Sequence, residues 1–248
     1  MLVLAVLLSA CTAHGTPHTT TRPPTPSGPT TTSATATGVR TVLSAIGLNV
    51  RAQPAKSAAI VQTAAQGTVL TVTGQTDQNG GWFQVKGTTI SGWISSDPSL
   101  SAPGKYLPYS STQLQVSLLY PETWTVAEVP PTNVVLHVPP GHDTVVVSTA
   151  PAVDQLGRGR NGYQRTNTEQ VLVCGVTSTL ATYSQVGAAA STTQPGGVVN
   201  ERYLVQVHLA LDPQHALGIA ANLSDLAQLD AYKSVVDSAT FPFPQCQP

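Results

Sequence analysis

The nucleophilic chemistry that this sequence could support would depend on Cys174. Two histidines, His208 and His215, follow it and could supply an imidazole base for the thiol proton. A reactive thiolate also needs a group that lowers its pKa, such as a helix N-terminus or a neighbouring cation. Residues 172–176 instead have the apolar composition of a strand, so no catalytic residue is predicted here.

A second pattern, residues 157–162, matches the Gly-x-Gly-x-x-Gly spacing of a phosphate-binding turn. A dinucleotide site also needs a strand before the turn, a helix after it and an acidic residue about 20 positions later. Residues 163–168 read as a loop and no acid follows at that distance, so we predict a surface loop. In it, Arg158, Arg160 and Arg165 could together contact an anion such as a lipid headgroup.

Metal-dependent chemistry is not predicted, because the histidine pairs of this sequence lack a third ligand with suitable spacing. No cofactor is predicted either. A pair of carboxylates would be the remaining route to an enzyme. The histidine pairs are His137 with His142 and His208 with His215, and the candidate acids are Glu122, Glu128 and Asp143.

The composition of the chain limits its function class. Only 9% of its 248 residues are charged, and 11 Lys+Arg against 12 Asp+Glu give a net charge of −1. Binding to nucleic acid through a broad basic face is not expected, because so few cations cannot neutralise a row of phosphates. A hydrophobic content of 41% with 20 Gly and 20 Pro indicates β-rich globular parts joined by low-complexity chain.

Residues 1–10 form an uncharged apolar run that leads directly to Cys11. As a helix this run would span about 15 Å, half of a ~30 Å hydrocarbon core, so it is too short for a membrane anchor and is typical of an export signal. Residues 8–11, Leu-Ser-Ala-Cys, resemble the bacterial lipobox, although the usual Lys/Arg start is missing. The resemblance implies an exported lipoprotein, lipidated at Cys11 with acyl chains such as palmitate, on the outer face of a bacterial membrane. An ordinary cleaved signal of a secreted protein is the alternative.

Residues 12–38 have the composition of a disordered tether. They contain 11 Thr and 5 Pro but no Leu, Ile, Val or aromatic residue. Such a segment cannot bury enough apolar surface to offset its conformational entropy. We therefore expect a flexible spacer, with a mean span of about 30 Å, between the membrane and the folded part.

Residues 39–101 consist of short β-favouring runs separated by glycine-rich turns, which predicts a small all-β barrel. Four stretches follow in the order and spacing of the bacterial SH3 (SH3b) family, and this part of the chain resembles that family. The resemblance implies an extracellular targeting or binding module for cell-wall polymer or peptide, without catalysis of its own. The matching stretches are residues 48–51, 67–72, 81–85 and 92–95.

The aromatic residues of this barrel are the candidates for ligand binding. Trp82 lies beside the hairpin glycines and is predicted to be the more exposed tryptophan, whereas Trp93 is predicted to lie in the core. Phe83 and Trp82 could form an apolar platform for a sugar or a proline. Arg51, in or near the first long loop, could meet a carboxylate.

Residues 105–248 alternate strand-like runs with proline-rich breaks and then change to helical spacing over 226–239, with Asn222 or Ser224 as N-cap. This predicts an α+β domain, an antiparallel sheet crossed by one C-terminal helix. Residues 116–124 and the helix ending at Val236, Ser238 and Phe241 weakly resemble PsbP-like domains. That resemblance implies an accessory or binding role.

Cys174 and Cys246 are the two cysteines that remain once Cys11 is lipidated. In an oxidising compartment they could form a disulfide, and the alternative is a buried free Cys174. Taken together, the sequence predicts a non-catalytic, lipid-anchored envelope protein of unassigned oligomeric state that binds or senses cell-wall polymer or peptide. The alternatives are an envelope enzyme acting on peptidoglycan and a structural adaptor in an envelope complex.

Overall fold

The computed structural model describes residues 38–129, 133–148, 162–174, 176–186, 202–210 and 216–241. Within these ranges the protein is mainly β, with antiparallel sheets and an α-helix near the C-terminal end, as the sequence predicts. Several sites named above lie outside the described residues. These are the signal segment with Cys11, the 12–37 part of the tether, Arg158, Arg160, His215 and Cys246.

The first sheet has seven antiparallel strands in the order β3-β2-β6-β5-β4-β1-β7. Alternating apolar residues of these strands form its core, in which Val50, Leu70 and Ile94 are fully buried. Residues between them in sequence therefore point away from that core. The strands are β1 (Gly38–Val42), β2 (Leu48–Arg51), β3 (Ile60–Ala64), β4 (Val69–Thr76), β5 (Trp82–Lys86), β6 (Ser91–Ser95) and β7 (Ser101–Pro103).

A hairpin and a second seven-stranded sheet follow. The hairpin pairs β8 with β9, and the second sheet has the order β10-β11-β12-β16-β15-β14-β13. All its pairs are antiparallel. The strands are β8 (Tyr106–Ser111), β9 (Val116–Pro121), β10 (Thr125–Val129), β11 (Asn133–Val138), β12 (Asp143–Ser148), β13 (Tyr163–Val173), β14 (Val176–Gln185), β15 (Tyr203–Ala210) and β16 (Ala216–Leu223).

Helix α1 (Leu229–Ser238) packs its apolar face into the core of the second sheet. Tyr232 is fully buried there, and its hydroxyl donates to the Ile219 carbonyl at 2.7 Å. The prediction of an N-cap at Asn222 or Ser224 is wrong, because Asn222 is paired in β16 and the Ser224 backbone N–H and hydroxyl donate to the Asp143 carboxylate. The helix therefore starts later than its apolar periodicity indicated.

Two local predictions around β13 are also wrong. Residues 163–168 form the first half of this long strand rather than a loop, because pairing with β14 satisfies their backbone despite their polar side chains. Cys174 lies in the turn between β13 and β14 rather than within a strand. Its φ of 50° lies in the left-handed region, which is common in turns and rare within strands.

The first sheet contacts the β8–β9 hairpin and helix α1 through one hydrogen-bonded side chain and a small apolar cluster. The Gln66 amide donates to the Leu43 carbonyl at 2.7 Å and to the Ser238 carbonyl, at the end of α1, at 2.9 Å. Beside it, Leu43 and Ala102 of the first part pack against Tyr106 and Leu119 of the hairpin. The two parts are therefore joined by specific contacts and not only by the chain between them.

Replacing Gln66 by alanine should weaken this junction. The substitution removes two hydrogen bonds and leaves two carbonyls without that donor, so we expect the free energy of unfolding to fall by about 1–3 kcal/mol. Urea unfolding followed by tryptophan fluorescence measures the change. Gln62→Ala, an exposed glutamine on β3, is the matched control, and equal effects of the two substitutions would contradict the assignment.

Candidate functional site

Four side chains form a row across the outer face of the first sheet, and we call them the Trp93 row. They are Ile60, Arg51, Trp93 and Gln84, which are direct partners in successive pairs of strands from β3 to β5. Trp93 is only partly buried. Its neighbour Ile94 is fully buried, and because side chains alternate along a strand, Trp93 points away from the core. Ile60 is 52% exposed. The row therefore presents an aromatic ring, a cation, an amide and an apolar side chain to solvent.

The position of Trp82 reverses the expected roles of the two tryptophans. Trp82 is only 4% exposed, and its indole N–H donates to the Asn79 carbonyl in the neighbouring turn, Gln78–Gly80. The Asn79 amide in turn donates to the Pro54 carbonyl of the first long loop at 3.0 Å. The prediction that Trp82 is the more exposed tryptophan is wrong, because a turn that follows β4 folds over it.

Phe83 follows Trp82 in β5 and points to the other face of the strand, where it packs against the core of the first sheet. The Arg40 guanidinium lies over its ring, 4.4 Å from the centroid, which is a cation–π arrangement. Arg40 also donates to the hydroxyl and the carbonyl of Ser101. The structure thus places Arg51 beside Trp93, and Phe83 beside Arg40. The three residues predicted to bind a ligand, Trp82, Phe83 and Arg51, therefore do not form one site.

A cleft of about 1080 Å³ separates the first sheet from β13 and helix α1. Arg40, Phe83, loop residues 96 and 98–100 and strand β7 line one side of it, and residues 169–172 of β13 line another. Helix α1 contributes Asp230, Lys233, Ser234 and Asp237, which share one helix face because they are three, four and seven residues apart. No pattern in the sequence indicated this cleft, since its walls lie far apart along the chain.

Among the residues that the structure describes, the cleft is lined by more acidic than basic side chains. The Lys233 ammonium pairs with the Glu169 carboxylate at 2.6 Å. Asp237 is partly buried. Burial first, and then the negative charges of Asp97 and Glu169, raise its pKa to about 7, although the nearby Lys233 ammonium lowers it. An aspartate in this state is charged in only part of the molecules at neutral pH.

This shift predicts a pH dependence of stability. Because the pKa of Asp237 is higher in the folded protein than in the unfolded chain, the folded state retains a proton that the unfolded state releases between about pH 4 and about pH 7. The contribution of Asp237 to the free energy of unfolding therefore falls as the pH rises through that window. Asp237→Asn should remove this contribution, so that the variant gains stability relative to the wild type between pH 5 and pH 8.

Urea unfolding of both proteins at pH 5 and pH 8 measures that difference. Asp77→Asn, the same change at an exposed position outside the cleft, is the control. An identical pH dependence for Asp237→Asn and the wild type would contradict the assignment.

The other predicted site residues of the second sheet lie apart from each other. Arg165 is exposed on β13, opposite Tyr183. Cys174 is disulfide-bonded, and the chain's other cysteines, Cys11 and Cys246, lie outside the described residues. The His208 carbonyl accepts from the Ser178 hydroxyl on the adjacent strand. The predicted pairing of Cys174 with Cys246 therefore stays a prediction.

The candidate carboxylates are not brought together as a pair. Glu128 accepts a hydrogen bond from the Tyr109 hydroxyl at 2.6 Å. Asp143 accepts from the backbone and the hydroxyl of Ser224, at 2.9 and 3.1 Å. Glu122 is exposed just after β9. Glu128 and Asp143 thus hold parts of the fold in place.

Among the residues that the structure describes, no group of three His, Cys, Asp or Glu side chains is placed to hold a metal ion. In the same part of the chain, no helix is both long and apolar enough to cross a bilayer.

Comparison with known proteins gave a match to a domain family and a similarity to a solved structure. Residues 46–97 match the bacterial SH3 domain family, so this region is an SH3 domain, as its four motifs predict. The chain is also similar to the solution structure of cyanobacterial PsbP (CyanoP) from Synechocystis sp. PCC 6803. The identity is 17% and the TM-score 0.37, over 55% of this chain and 92% of that one. A search of the curated proteins found no match.

Proposed function

We propose that this chain is a lipid-anchored, non-catalytic protein of the bacterial cell envelope whose SH3 domain binds cell-wall polymer or peptide. Bacterial SH3 domains commonly bind cell-wall material, and residues 46–97 are such a domain. The Trp93 row is the observation that supports a binding surface on it. Because the row crosses four adjacent paired strands, the backbone positions of its residues are fixed relative to one another.

The chemistry of the Trp93 row suits this ligand class. The face of an indole ring offers a flat apolar surface against which the C–H face of a sugar or a peptide side chain packs. The Arg51 guanidinium, which also donates to the Ala58 carbonyl at 2.6 Å, is a donor for a ligand carboxylate. The Gln84 amide is exposed and can both donate and accept.

Co-sedimentation of the full-length protein with purified peptidoglycan tests the proposal. Trp93→Ala and Arg51→Ala should each reduce the bound fraction, because they remove the stacking surface and the cation. Trp93→Phe, which keeps an aromatic face, should retain more binding than Trp93→Ala. Arg165→Ala, an exposed arginine of the second sheet, is the control for charge. Equal binding of the wild type and Trp93→Ala would refute the assignment of this row.

The absence of catalysis is part of the proposal and has its own support. Cys174 is disulfide-bonded and so offers no thiol for nucleophilic attack. The carboxylates of Glu128 and Asp143 are engaged in hydrogen bonds within the fold. Turnover of cell-wall fragments by the purified protein would overturn this part of the proposal, most clearly if Cys174→Ala abolished it.

The lipid anchor rests on Cys11 and the apolar run before it. A mature protein that begins at a diacylated Cys11 should partition into detergent, since two acyl chains give stable anchoring where one does not. Cys11→Ala should instead yield soluble or uncleaved protein. Phase separation in detergent, followed by mass spectrometry of the N-terminal peptide, measures both results. A wild-type protein found wholly in the aqueous phase would contradict the anchor.

A further inference from the structure

We propose that the cleft between the first sheet, β13 and helix α1 is a second binding site, which takes a short peptide carrying a free primary amine. It lies on a different surface from the Trp93 row and does not depend on the function proposed for that row. The shape of the cleft, the pairing of its charges and its exposed apolar rim support this site.

The size and construction of the cleft suit a short peptide. A cavity of about 1080 Å³ is slightly larger than the usual small-ligand site of about 300–1,000 Å³. Its walls come from both parts of the chain. The contacts of Gln66 and of the Leu43 cluster hold those parts together, so the walls are set before a ligand arrives.

The charges of the cleft favour a cation over an anion. In the described part of the chain, the two cations that line it already have partners, Lys233 with Glu169 and Arg40 with Ser101 and the Phe83 ring. Among the described residues, by contrast, no cation lies within salt-bridge distance of the Asp230 or Asp237 carboxylate. These two acids project from the same face of α1 into the cleft. An incoming ammonium group would therefore gain an unpaired carboxylate partner at Asp237, while Asp230 lies seven residues away, about 10 Å along the helix.

The rim of the cleft adds an apolar requirement. Ile46, from the first sheet's side, is 72% exposed, and Leu172, from β13, is 63% exposed, and both line the cleft. Large apolar side chains left exposed on both sides of one cavity are typical of a binding surface. They suit the aliphatic stem of a lysine-like side chain or the neighbouring residues of a peptide better than a free metal ion.

The groups that face Asp237 give the site a pH signature. Asp97 from the first sheet's side, Glu169 from β13 and Asp230 on α1 are acids, while Lys233 and Arg40 are the nearby cations. Because a bound ammonium favours the charged carboxylate, it would lower the pKa of Asp237 and release its proton. Affinity should therefore rise by about three- to tenfold from pH 6 to pH 8, where a lysine amine stays charged.

Isothermal titration calorimetry of the full-length protein in detergent micelles tests this site. The probe is the end-capped peptide acetyl-Ala-Lys-Ala-amide, and the matched probe is the same peptide with the lysine ε-amine acetylated. We expect the acetylated peptide to bind at least about tenfold more weakly. Asp237→Asn should weaken binding of the lysine peptide by about tenfold and remove its pH dependence, whereas Asp77→Asn should change neither.

Several results would overturn the proposal. These are equal affinities for the two peptides, no measurable binding of either, or the same effect of Asp237→Asn and Asp77→Asn. Peptidoglycan co-sedimentation separates this site from the Trp93 row. Asp237→Asn should co-sediment as the wild type does, and Trp93→Ala should still bind the lysine peptide. Loss of both activities in either variant would mean that the two sites are not independent.

Discussion

Replacing Trp82 by alanine should lower the free energy of unfolding by about 3–5 kcal/mol, the usual cost of truncating a buried aromatic side chain. The indole is buried beneath the Gln78–Gly80 turn, and its N–H bonds the Asn79 carbonyl. Its loss leaves a cavity and frees the turn that Asn79 ties to Pro54. Urea unfolding followed by circular dichroism measures the change, because this signal reports the β-structure of the whole protein.

Trp93→Ala is the natural comparison, because it removes the same side chain from a partly exposed position. It should cost less than half as much stability while reducing peptidoglycan binding. Equal destabilisation by the two substitutions would show that the Trp93 row is part of the core instead of a surface for ligands.

Breaking the disulfide of Cys174 should destabilise the protein by about 4 kcal/mol if its partner is Cys246. That pair would close a loop of about 70 residues, and on the chain-entropy model a loop of this length gives roughly that stabilisation. Cys174→Ser, Cys246→Ser and the double variant should then all lose the same amount, because each removes the same bond. Urea unfolding of the oxidised proteins measures the three losses.

Thiol labelling of the unreduced, denatured protein identifies the partner directly. With a Cys174–Cys246 bond, the wild type should show no reactive thiol at either position, and Cys246→Ser should expose Cys174. A Cys174 that stays unreactive in Cys246→Ser would assign its bond to another cysteine. Two reactive thiols in the wild type would rule the pair out.

Much of the local structure of this protein follows from its sequence. The strand runs of the first sheet are short and bounded by glycine turns, so residues such as Leu48 and Ile94 could be recognised as core positions. The SH3 motifs, matched over residues 46–97, occur in fixed order and spacing. The apolar residues of α1 recur at helical spacing. Each of these signals depends on neighbours within a few residues, which a sequence displays directly.

The candidate sites were decided by tertiary structure. Which tryptophan is exposed depends on the Gln78–Gly80 turn and the loop at Pro54, which fold over Trp82 and leave Trp93 partly open. The strand formed by polar residues 163–168 depends on the backbone partners that β14 supplies. In both cases the burial or pairing of a residue is set by segments that its own local pattern does not specify.

The cleft shows the same limit most clearly. Its charges come from Arg40 on β1, Glu169 on β13 and helix α1. These are three different elements, and more than 100 residues of chain separate Arg40 from the other two. No local periodicity relates them, because their proximity results from docking the first sheet against the hairpin and α1 through Gln66 and the Leu43 cluster. The sequence alone determined most of the strands, the helical segment near the C-terminal end and the SH3 domain. Only the packing of these elements determined which side chains face a ligand, since exposure and electrostatic coupling depend on distance in space and not on distance along the chain.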